Sequence, residues 1–516
     1  MALEPHRTFP ACCSHTHGFP AWAPQLVKPR YREHNVAALA DVVLADLGLT
    51  TQMCNHFYAA LMGQQHAAPP PPRAAQLPVG VPLPPTRSQA EPLAYIRDLR
   101  SRWEMHLCAA VGRACEAAGL PLMRPRTEHE DFGEPGRRPP ANLRAAWLYE
   151  CEDLLDLLAT TPHPNHTSAE TLVSSWGLLK LQLATPSHAQ LQERFAELAP
   201  HERQCGLDDD LRGWFAEERH HIGLRVLASG SVPMLLHFAK AGMPLGMRGQ
   251  LWLAALQLAP TEREYLDFTN LQREVGRVVL GTDAALRHDV HAPLNEEPFF
   301  IFAEAADELL LAFCRDPSVL RRTAHLSGLP RLAALGRAGQ PAVFPPSGVL
   351  PIRGLSLFAY PLCYLFSNQH ELYLTMRELW VRYWCRLHCL SSQPGTLLPL
   401  LHLFEAQLQQ FAPQLCAHLH RLGVHPTRAA GPWLAFAFAG YLPPDQTLLL
   451  WDRIIGFDSL ELLPMLAAAV FLFHERALLQ AADAEDARHV LHDASELKVV
   501  PLLQAFLFAS DRLRDL

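Results

Sequence analysis

Apolar residues recur three and four positions apart through most of this 516-residue chain, and this spacing restricts its fold more than any other feature. On an α-helix such residues share one face, whereas a half-buried strand requires an alternation of two. The segment 93–119 shows the helical spacing and ends at Gly119 with Pro121 beyond it, which is a helix stop signal. Sustained alternation of β-branched and aromatic residues between hairpin turns is scarce. We predict an all-α protein built from many helices of medium length.

The first ninety residues are uneven. Residues 35–62 have helical spacing, and residues 67–92 form a Pro-rich tract. Because proline fixes its own φ and lacks an N–H donor, this tract is expected to be an extended, partly disordered linker. An alternative interpretation is a ligand for the groove of an SH3 or WW partner. Further along, the Gly/Pro-containing stretch 331–348 is predicted to be an exposed loop or insertion.

Charge and termini exclude several classes of partner. The formal net charge is −8, from 44 basic and 52 acidic residues, and no dense Lys/Arg block is present, so nucleic acid and anionic membranes are not expected partners. The N-terminus lacks the pattern of a secretory signal, so we expect a cytoplasmic protein whose 12 cysteines are mostly free thiols. The most apolar run, Leu462–Phe473, contains Pro464 and is shorter than the roughly 20 residues of a membrane span. It predicts a core helix, and no transmembrane segment is expected.

Motif blocks in the second half of the chain carry a family resemblance. "AGMPLGMRGQLWLAAL" has a Gly-x-Pro turn before Arg-x-x-x-Trp, and "GPWLAFAFAGYLPPDQTLLLWDRIIGF" follows much later. In this order the blocks resemble the signature of TBC domains, the GTPase-activating domains that act on Rab GTPases. Aromatic residues at helical spacing usually belong to the core, so we expect these residues to be mainly structural. They are Gly242, Pro244, Arg248, Trp252, Trp433, Trp451 and Asp452.

The resemblance implies a domain organisation and a partner. It covers roughly residues 242–508, and we assign a two-lobed, all-α TBC domain to 226–516, with an insertion near 315–346. A helical N-terminal region at 91–225 would precede it, after the helix and linker of 1–90. The implied partner is a Rab-family GTPase in its GTP-bound form, which would recruit the cytoplasmic protein to a membrane.

The resemblance also implies a catalytic scheme with two residues. In TBC domains an arginine in I-x-x-D-x-x-R neutralises charge on the phosphoryl group, and a glutamine in Y-x-Q-G orients the attacking water. An arginine finger alone contributes roughly 10³ to 10⁵ in rate. The glutamine amide is suited to its role because it both donates and accepts hydrogen bonds.

The first motif falls on "LRHDVHAP". Leu286 takes the isoleucine place, Asp289 the aspartate place, and Ala292 the place of the arginine finger. Alanine has neither charge nor donor, so the chemistry of this position is lost.

A competing register begins at Leu280, uses Asp283 and places Leu286 at the finger. Arg287 then lies one residue away. One residue rotates a helical side chain by about 100°, so Arg287 is a poor substitute in that register.

The second motif falls on "SGVLPIRGLSLFAYPL", aligned through Gly354 and Ser356. Pro351 takes the tyrosine place and Arg353 the glutamine place. Arginine only donates hydrogen bonds, so it cannot orient a water as an amide does. One alternative remains, in which Arg353 acts as a displaced arginine finger while the glutamine of the GTPase orients the water.

Other chemistries lack their starting motif. The chain has no G-x-S-x-G, P-loop or Rossmann glycine pattern, and no cofactor is expected. Two clusters contain metal-ligand residue types, but neither has the second pair that structural zinc needs, so no metal is expected. They are His288, Asp289 and His291, and Cys385, His388 and Cys389.

Three hypotheses follow. The first is a TBC protein that binds Rab GTPases and regulates vesicle traffic with weak or absent activating activity, and which is not an enzyme in its own right. The second is an active Rab GTPase-activating protein that uses Arg353 or another arginine. The third is a helical scaffold that does not depend on Rab.

Overall fold

The computed structural model describes residues 51–58, 87–119, 121–126, 149–161, 177–179, 183–209, 213–258, 261–291, 300–335 and 341–509. The chain divides into two compact units, residues 1–63 and residues 64–516. In the first unit, residues 51–58 form a helix, within the stretch of predicted helical spacing.

The second unit is built almost entirely from helices, which confirms the all-α prediction. The helices of its first half are α1 (Arg87–Ala118), α2 (Cys151–Thr160), α3 (His188–Arg194), α4 (Trp214–Ser229), α5 (Val232–Lys240), α6 (Arg248–Ala255), α7 (Glu262–Arg277), α8 (Asp283–His291), α9 (Ala303–Arg315) and α10 (Pro317–Arg322). Those of its second half are α11 (Tyr360–Cys363), α12 (Gln369–Leu379), α13 (Cys385–Leu387), α14 (Leu397–Phe411), α15 (Pro413–Arg421), α16 (Pro426–Ala435), α17 (Pro444–Phe457), α18 (Leu462–Phe473), α19 (Glu475–Gln480), α20 (Ala484–His492) and α21 (Val499–Phe508).

Shorter turns complete the helical framework. The 3₁₀ turns are Ala196–Leu198, Leu245–Met247, Phe300–Phe302 and Leu355–Phe358. A π-helical turn, Trp380–Trp384, joins α12 to α13.

Helix α1 follows the predicted pattern. Its buried residues include Tyr95, Leu99, Trp103 and Leu107, which are spaced four apart and face the core, where α1 packs against α2. Gly119, at φ +61°, ends the helix where the stop signal predicts. The start differs from the prediction: the helix begins at Arg87, inside the expected linker, and the rest of that Pro-rich tract lies outside the described residues.

Two short antiparallel ladders are present in the described part of the chain. β1 (Met123–Pro125) pairs with β2 (Val278–Leu280), and β3 (Leu332–Leu335) pairs with β4 (Pro341–Phe344). The second ladder corrects the prediction of an exposed loop at 331–348, because residues 332–335 and 341–344 pair as strands. The strands, Leu-Ala-Ala-Leu and Pro-Ala-Val-Phe, are short and lack an alternating pattern, so their backbone pairing is not indicated by side-chain periodicity.

Apolar residues also recur three and four positions apart across 168–186, which predicts a helix, but this prediction is wrong where the segment is described. Residues 177–179 and 183–186 are not helical. Gly177 has φ +90°, and the N–H of Leu178 donates to the Glu405 carboxylate at 2.5 Å. A contact with a distant helix therefore overrides the local helical spacing.

Helix α18 is buried along almost its whole length. Residues Leu462 to Leu472 of α18 are all buried, and this helix packs against α14 and α21. The prediction of a core helix here is confirmed. Within the described ranges, no helix is long and apolar enough to cross a membrane.

Candidate functional site

The two separated motif blocks meet in one buried polar network centred on Asp452. The Asp452 carboxylate is fully buried and accepts hydrogen bonds from Arg248 Nε at 3.1 Å and from Trp252 Nε1 at 2.7 Å. It also accepts from the backbone N–H of Met243 at 3.0 Å. Every donor lies on the first block, from the turn before α6 into α6 itself. This network therefore ties the start of α6 to α17 and leaves its carboxylate no access to solvent.

Gly242 is required by the close packing behind this network. It has φ +89°, and an added Cβ would lie 2.6 Å from Arg453 Nη1. The Arg453 guanidinium is itself buried and donates to the carbonyl of Cys205 at 2.7 Å. Burial lowers the pKa of Arg453 to about 10, with the Asp452 charge opposing the shift. Pro244, half-buried, directly precedes the 3₁₀ turn that leads into α6.

The remaining two tryptophans of the blocks lie in the core. Trp451 Nε1 donates to the carbonyl of Ala437 at 3.0 Å, and the ring lies 4.9 Å from that of Trp384. Trp433 stacks on Tyr441 at 4.2 Å. The block around Trp433, with Pro443 and Pro444 after it, predicts that Trp433 begins a helix, but it lies near the end of α16.

Asp289 connects the two segments that carry the predicted finger motifs. It lies on α8, is 2% exposed, and accepts from the backbone N–H of Gly354 at 2.6 Å and of Ser356 at 2.8 Å. The Ser356 hydroxyl donates back to the Asp289 carbonyl at 3.2 Å. Burial raises the pKa of the Asp289 carboxyl to about 6, and the two backbone N–H groups and nearby Arg353 limit the shift. One carboxyl group thus holds α8 against the loop that precedes Leu355–Phe358.

Asp283, the aspartate of the competing register, has a different set of partners. It forms a two-point ion pair with Arg315, at 3.0 Å to Nη1 and 2.7 Å to Nη2, and accepts from the N–H of Leu280. Leu286, the finger position in that register, is 1% exposed. Arg287 is partly exposed and lies 3.4 Å from the Asp307 carboxylate.

The loop at Gly354 is built on aromatic residues. Gly354 has φ +98°, and a Cβ there would lie 2.8 Å from the Phe436 ring. Phe436 packs against Phe358, which stacks on Trp384 at 5.4 Å. The backbone at Gly354 is therefore pressed onto a rigid surface, and its position is set by packing as well as by Asp289.

Arg353 is the exposed residue of this loop. Across the fully described stretch 347–356, every other residue is buried, whereas the Arg353 side chain is 57% exposed. Its Nη1 lies 2.8 Å from Glu150 Oε1, and its backbone N–H donates to the carbonyl of Tyr149 at 3.0 Å. Ala292, the other predicted finger position, lies outside the described residues.

Comparison with known proteins shows the family of this chain. Residues 352–479 match the Rab-GTPase-TBC domain family. The human protein TBC1 domain family member 19 is 35% identical over 445 residues, covering 83% of this chain and 85% of the relative. The chain belongs to the TBC-domain family. This is a family of Rab GTPase regulators. The match confirms the resemblance predicted from the motif blocks.

Two further relatives are more distant. The GTPase-activating protein GYP5 of Saccharomyces cerevisiae is 28% identical over 128 residues, covering 25% of this chain and 14% of that protein. The crystal structure of the Chlamydomonas flagellar RabGAP TBC domain matches 64% of this chain and 97% of its own, at 14% identity and a TM-score of 0.40.

The cysteine and histidine cluster in this TBC protein is part of the core. Cys385 Sγ donates to the carbonyl of Val381 at 3.3 Å, and His388 stacks on Trp380 at 5.4 Å. Burial lowers the pKa of His388 to about 4 and raises that of Cys389 to about 11. Among the described residues no group of three potential ligands is placed to hold a metal ion.

The sequence missed Tyr149 and Glu150, the residues that contact Arg353. They lie about 200 residues before it, outside the matched family segment 352–479. The only local signal is the acidic cluster at the start of α2, where the Glu150 N–H donates to Asp153 Oδ2 at 2.9 Å. That signal predicts the start of a helix. It does not predict a contact with the Gly354 loop.

Proposed function

We propose that this TBC protein binds a Rab-type GTPase in its GTP-bound form and regulates vesicle traffic, with weak or absent acceleration of GTP hydrolysis. The protein would act in the cytoplasm and be recruited to membranes by its GTPase. The observation that carries the proposal is the pair of hydrogen bonds from Gly354 and Ser356 to Asp289.

This contact supports one alignment of the finger motifs. Asp289 reaches the Gly354 loop, whereas Asp283 is occupied by Arg315 in the core. With Asp289 as the motif aspartate, the arginine place is Ala292 and the residue before the motif glycine is Arg353. The arginine place then carries the methyl group of Ala292, and the glutamine place carries the guanidinium of Arg353.

Neither residue performs the role of the group it replaces. Ala292 places no charge near a phosphoryl oxygen, so the roughly 10³ to 10⁵ contribution of an arginine finger is absent. Arg353 donates hydrogen bonds but accepts none, so it does not orient a water for attack. Binding depends on shape and buried anchors, not on groups used only in the transition state, and is expected to survive.

An active GTPase-activating protein is the second candidate. It is favoured by the exposure of Arg353. Within residues 347–356, Arg353 is the one residue whose side chain is exposed to solvent. A planar guanidinium is well suited to phosphate oxygens. In this candidate the GTPase itself would orient the water.

Single-turnover GTP hydrolysis by a panel of Rabs separates the two candidates. The proteins compared are the native chain, Arg353→Ala, and a rebuilt variant carrying Ala292→Arg with Arg353→Gln. The control is Arg428→Ala, which removes another partly exposed, ion-paired arginine. We expect the native protein, Arg353→Ala and the control to be equally slow and the rebuilt variant to gain rate. Acceleration by the native protein that Arg353→Ala abolishes and Arg428→Ala retains would instead establish Arg353 as the finger.

A pull-down with nucleotide-locked Rabs tests the partner. Preference of the native protein for a GTP-locked Rab over its GDP-locked form is the expected result. Absence of any nucleotide preference across the panel would reject both candidates in favour of a helical scaffold that does not depend on Rab.

A further inference from the structure

The segment Tyr149–Glu150, termed the strap here, crosses the loop that carries Arg353. The Tyr149 carbonyl accepts from the Arg353 N–H at 3.0 Å, and the Tyr149 hydroxyl donates to the Leu350 carbonyl at 3.4 Å. Glu150 Oε1 lies 2.8 Å from Arg353 Nη1. The strap therefore contacts both the backbone and the charged end of Arg353.

The backbone of the strap is firmly fixed. The Tyr149 side chain is 6% exposed and packs edge-on against Trp103 of α1, with ring centroids 5.2 Å apart. The Glu150 N–H is held by Asp153 at the start of α2. The strap thus stays in place through contacts that do not involve the ion pair.

The ion pair is the exchangeable part of the contact. Arg353 and Glu150 are 57% and 35% exposed, so water and salt screen their attraction. A phosphate group offers an arginine stronger, two-point hydrogen bonding. The Glu150 carboxylate contacts Nη1, so a phosphate that binds the guanidinium through both Nη atoms competes with Glu150 for Nη1.

We propose that the strap blocks an anion-binding site, in which Glu150 occupies the guanidinium of Arg353 until a phosphate-class anion displaces it. The inference rests on the proposed function in that the nucleotide of a bound GTPase is the expected source of the phosphate. Free phosphate has the same chemistry, so the test contains an arm for each source.

The test uses the reagent phenylglyoxal, which adds to arginine guanidinium groups, and peptide mass spectrometry to follow its rate at Arg353 in the full chain. The variants are Glu150→Gln and, as the matched control, Glu152→Gln. Glu152 is exposed on the same helix start and has no ion pair with any residue in the described ranges. One arm titrates inorganic pyrophosphate and the other adds a GTP-locked Rab.

We expect Glu150→Gln to raise the rate at Arg353 about two- to fivefold and to lower the half-protecting pyrophosphate concentration by a similar factor. Glu152→Gln should change neither. Glu150→Asp, which keeps the charge but withdraws it by one methylene, should lie in between. Protection by the GTP-locked Rab that is stronger than by pyrophosphate would identify the nucleotide as the source, and the reverse would identify a free anion.

Two results would overturn the strap proposal: an unchanged Arg353 rate and unchanged half-protection in Glu150→Gln, or equal changes in Glu152→Gln. The outcome does not depend on Rab, because the pyrophosphate arm alone measures the replacement of Glu150 by an anion at Arg353. Failure of every Rab to bind would reject the proposed function separately. Thermal unfolding of each variant verifies that the rates compare folded proteins.

Discussion

Asp289 predicts an unusual pH dependence of stability. Its carboxyl is buried between α8 and the Gly354 loop, and its pKa is raised from 3.8 to about 6. A raised carboxyl pKa means that the folded protein binds this proton more tightly than the unfolded chain. The stabilisation from this group is therefore present below pH 3.8 and is lost as the pH rises through about 6.

The magnitude follows from the difference between the two pKa values. One pKa unit corresponds to about 1.4 kcal/mol, so complete ionisation of Asp289 lowers the free energy of unfolding by about 3 kcal/mol. About 2 kcal/mol of this loss falls between pH 4 and pH 7, because the unfolded chain is already partly ionised at pH 4. In Asp289→Asn the amide does not titrate. Its oxygen accepts one of the two backbone N–H groups and its NH₂ opposes the other, at a cost of about 1 to 3 kcal/mol. The loss in this variant should be about 1 to 3 kcal/mol at pH 4 and about 2 kcal/mol smaller at pH 7.

Urea unfolding between pH 4 and pH 7.5 measures this difference for the native protein, Asp289→Asn and Asp289→Ala. Neither variant titrates at this position, so the difference between the two variants should stay constant. The alanine variant should be the less stable of the two, because both N–H groups lose their acceptor. A difference between native protein and Asp289→Asn that is constant across this pH range would refute the assignment of a raised pKa to Asp289.

Two further substitutions test the packing of the site, each by urea unfolding at neutral pH. Gly354→Ala combines a strained positive φ with a contact against Phe436 and should cost about 2 to 5 kcal/mol. The control is Gly112→Ala, in an exposed part of α1 with open space around it, which should be neutral or stabilise the protein by up to about 1 kcal/mol. An equal loss of stability at both sites would contradict the packing argument. Asp452→Ala leaves a buried arginine and an indole N–H without their acceptor and should cost about 3 to 5 kcal/mol. The control is Asp156→Ala, which breaks an exposed ion pair and should cost less than about 1 kcal/mol. If Asp452→Ala also cost less than about 1 kcal/mol, the buried network around Asp452 would contribute little to stability.

Helical spacing was a reliable guide where neighbouring residues decide the conformation. The extent of α1 up to Gly119 and the core helix α18 both follow from local periodicity. The prediction failed around Gly177, where a distant glutamate takes the N–H of Leu178 and the backbone turns away from a helix. It also failed at β3 and β4, because these four-residue strands show no alternating pattern.

The candidate site was only partly predictable for the same reason. The residue types at Ala292 and Arg353 can be read directly from the motif alignment, but two registers remained open for the first motif. Choosing between them depends on which aspartate reaches Gly354, a contact between residues 65 positions apart. Sequence spacing does not specify that contact, since Asp283 and Asp289 are both buried on α8.

By itself, the sequence determined the all-α class, the family and the residues present at the two motif positions, because these depend on local periodicity and on the order of short motifs. Only the tertiary structure decided that Asp289 holds the Gly354 loop, that Asp452 joins the two motif blocks, and that Glu150 meets Arg353. Each of these is a contact between segments far apart in the chain. Such contacts are set by how helices pack, and no local pattern in the sequence reports which buried or half-buried charges will meet.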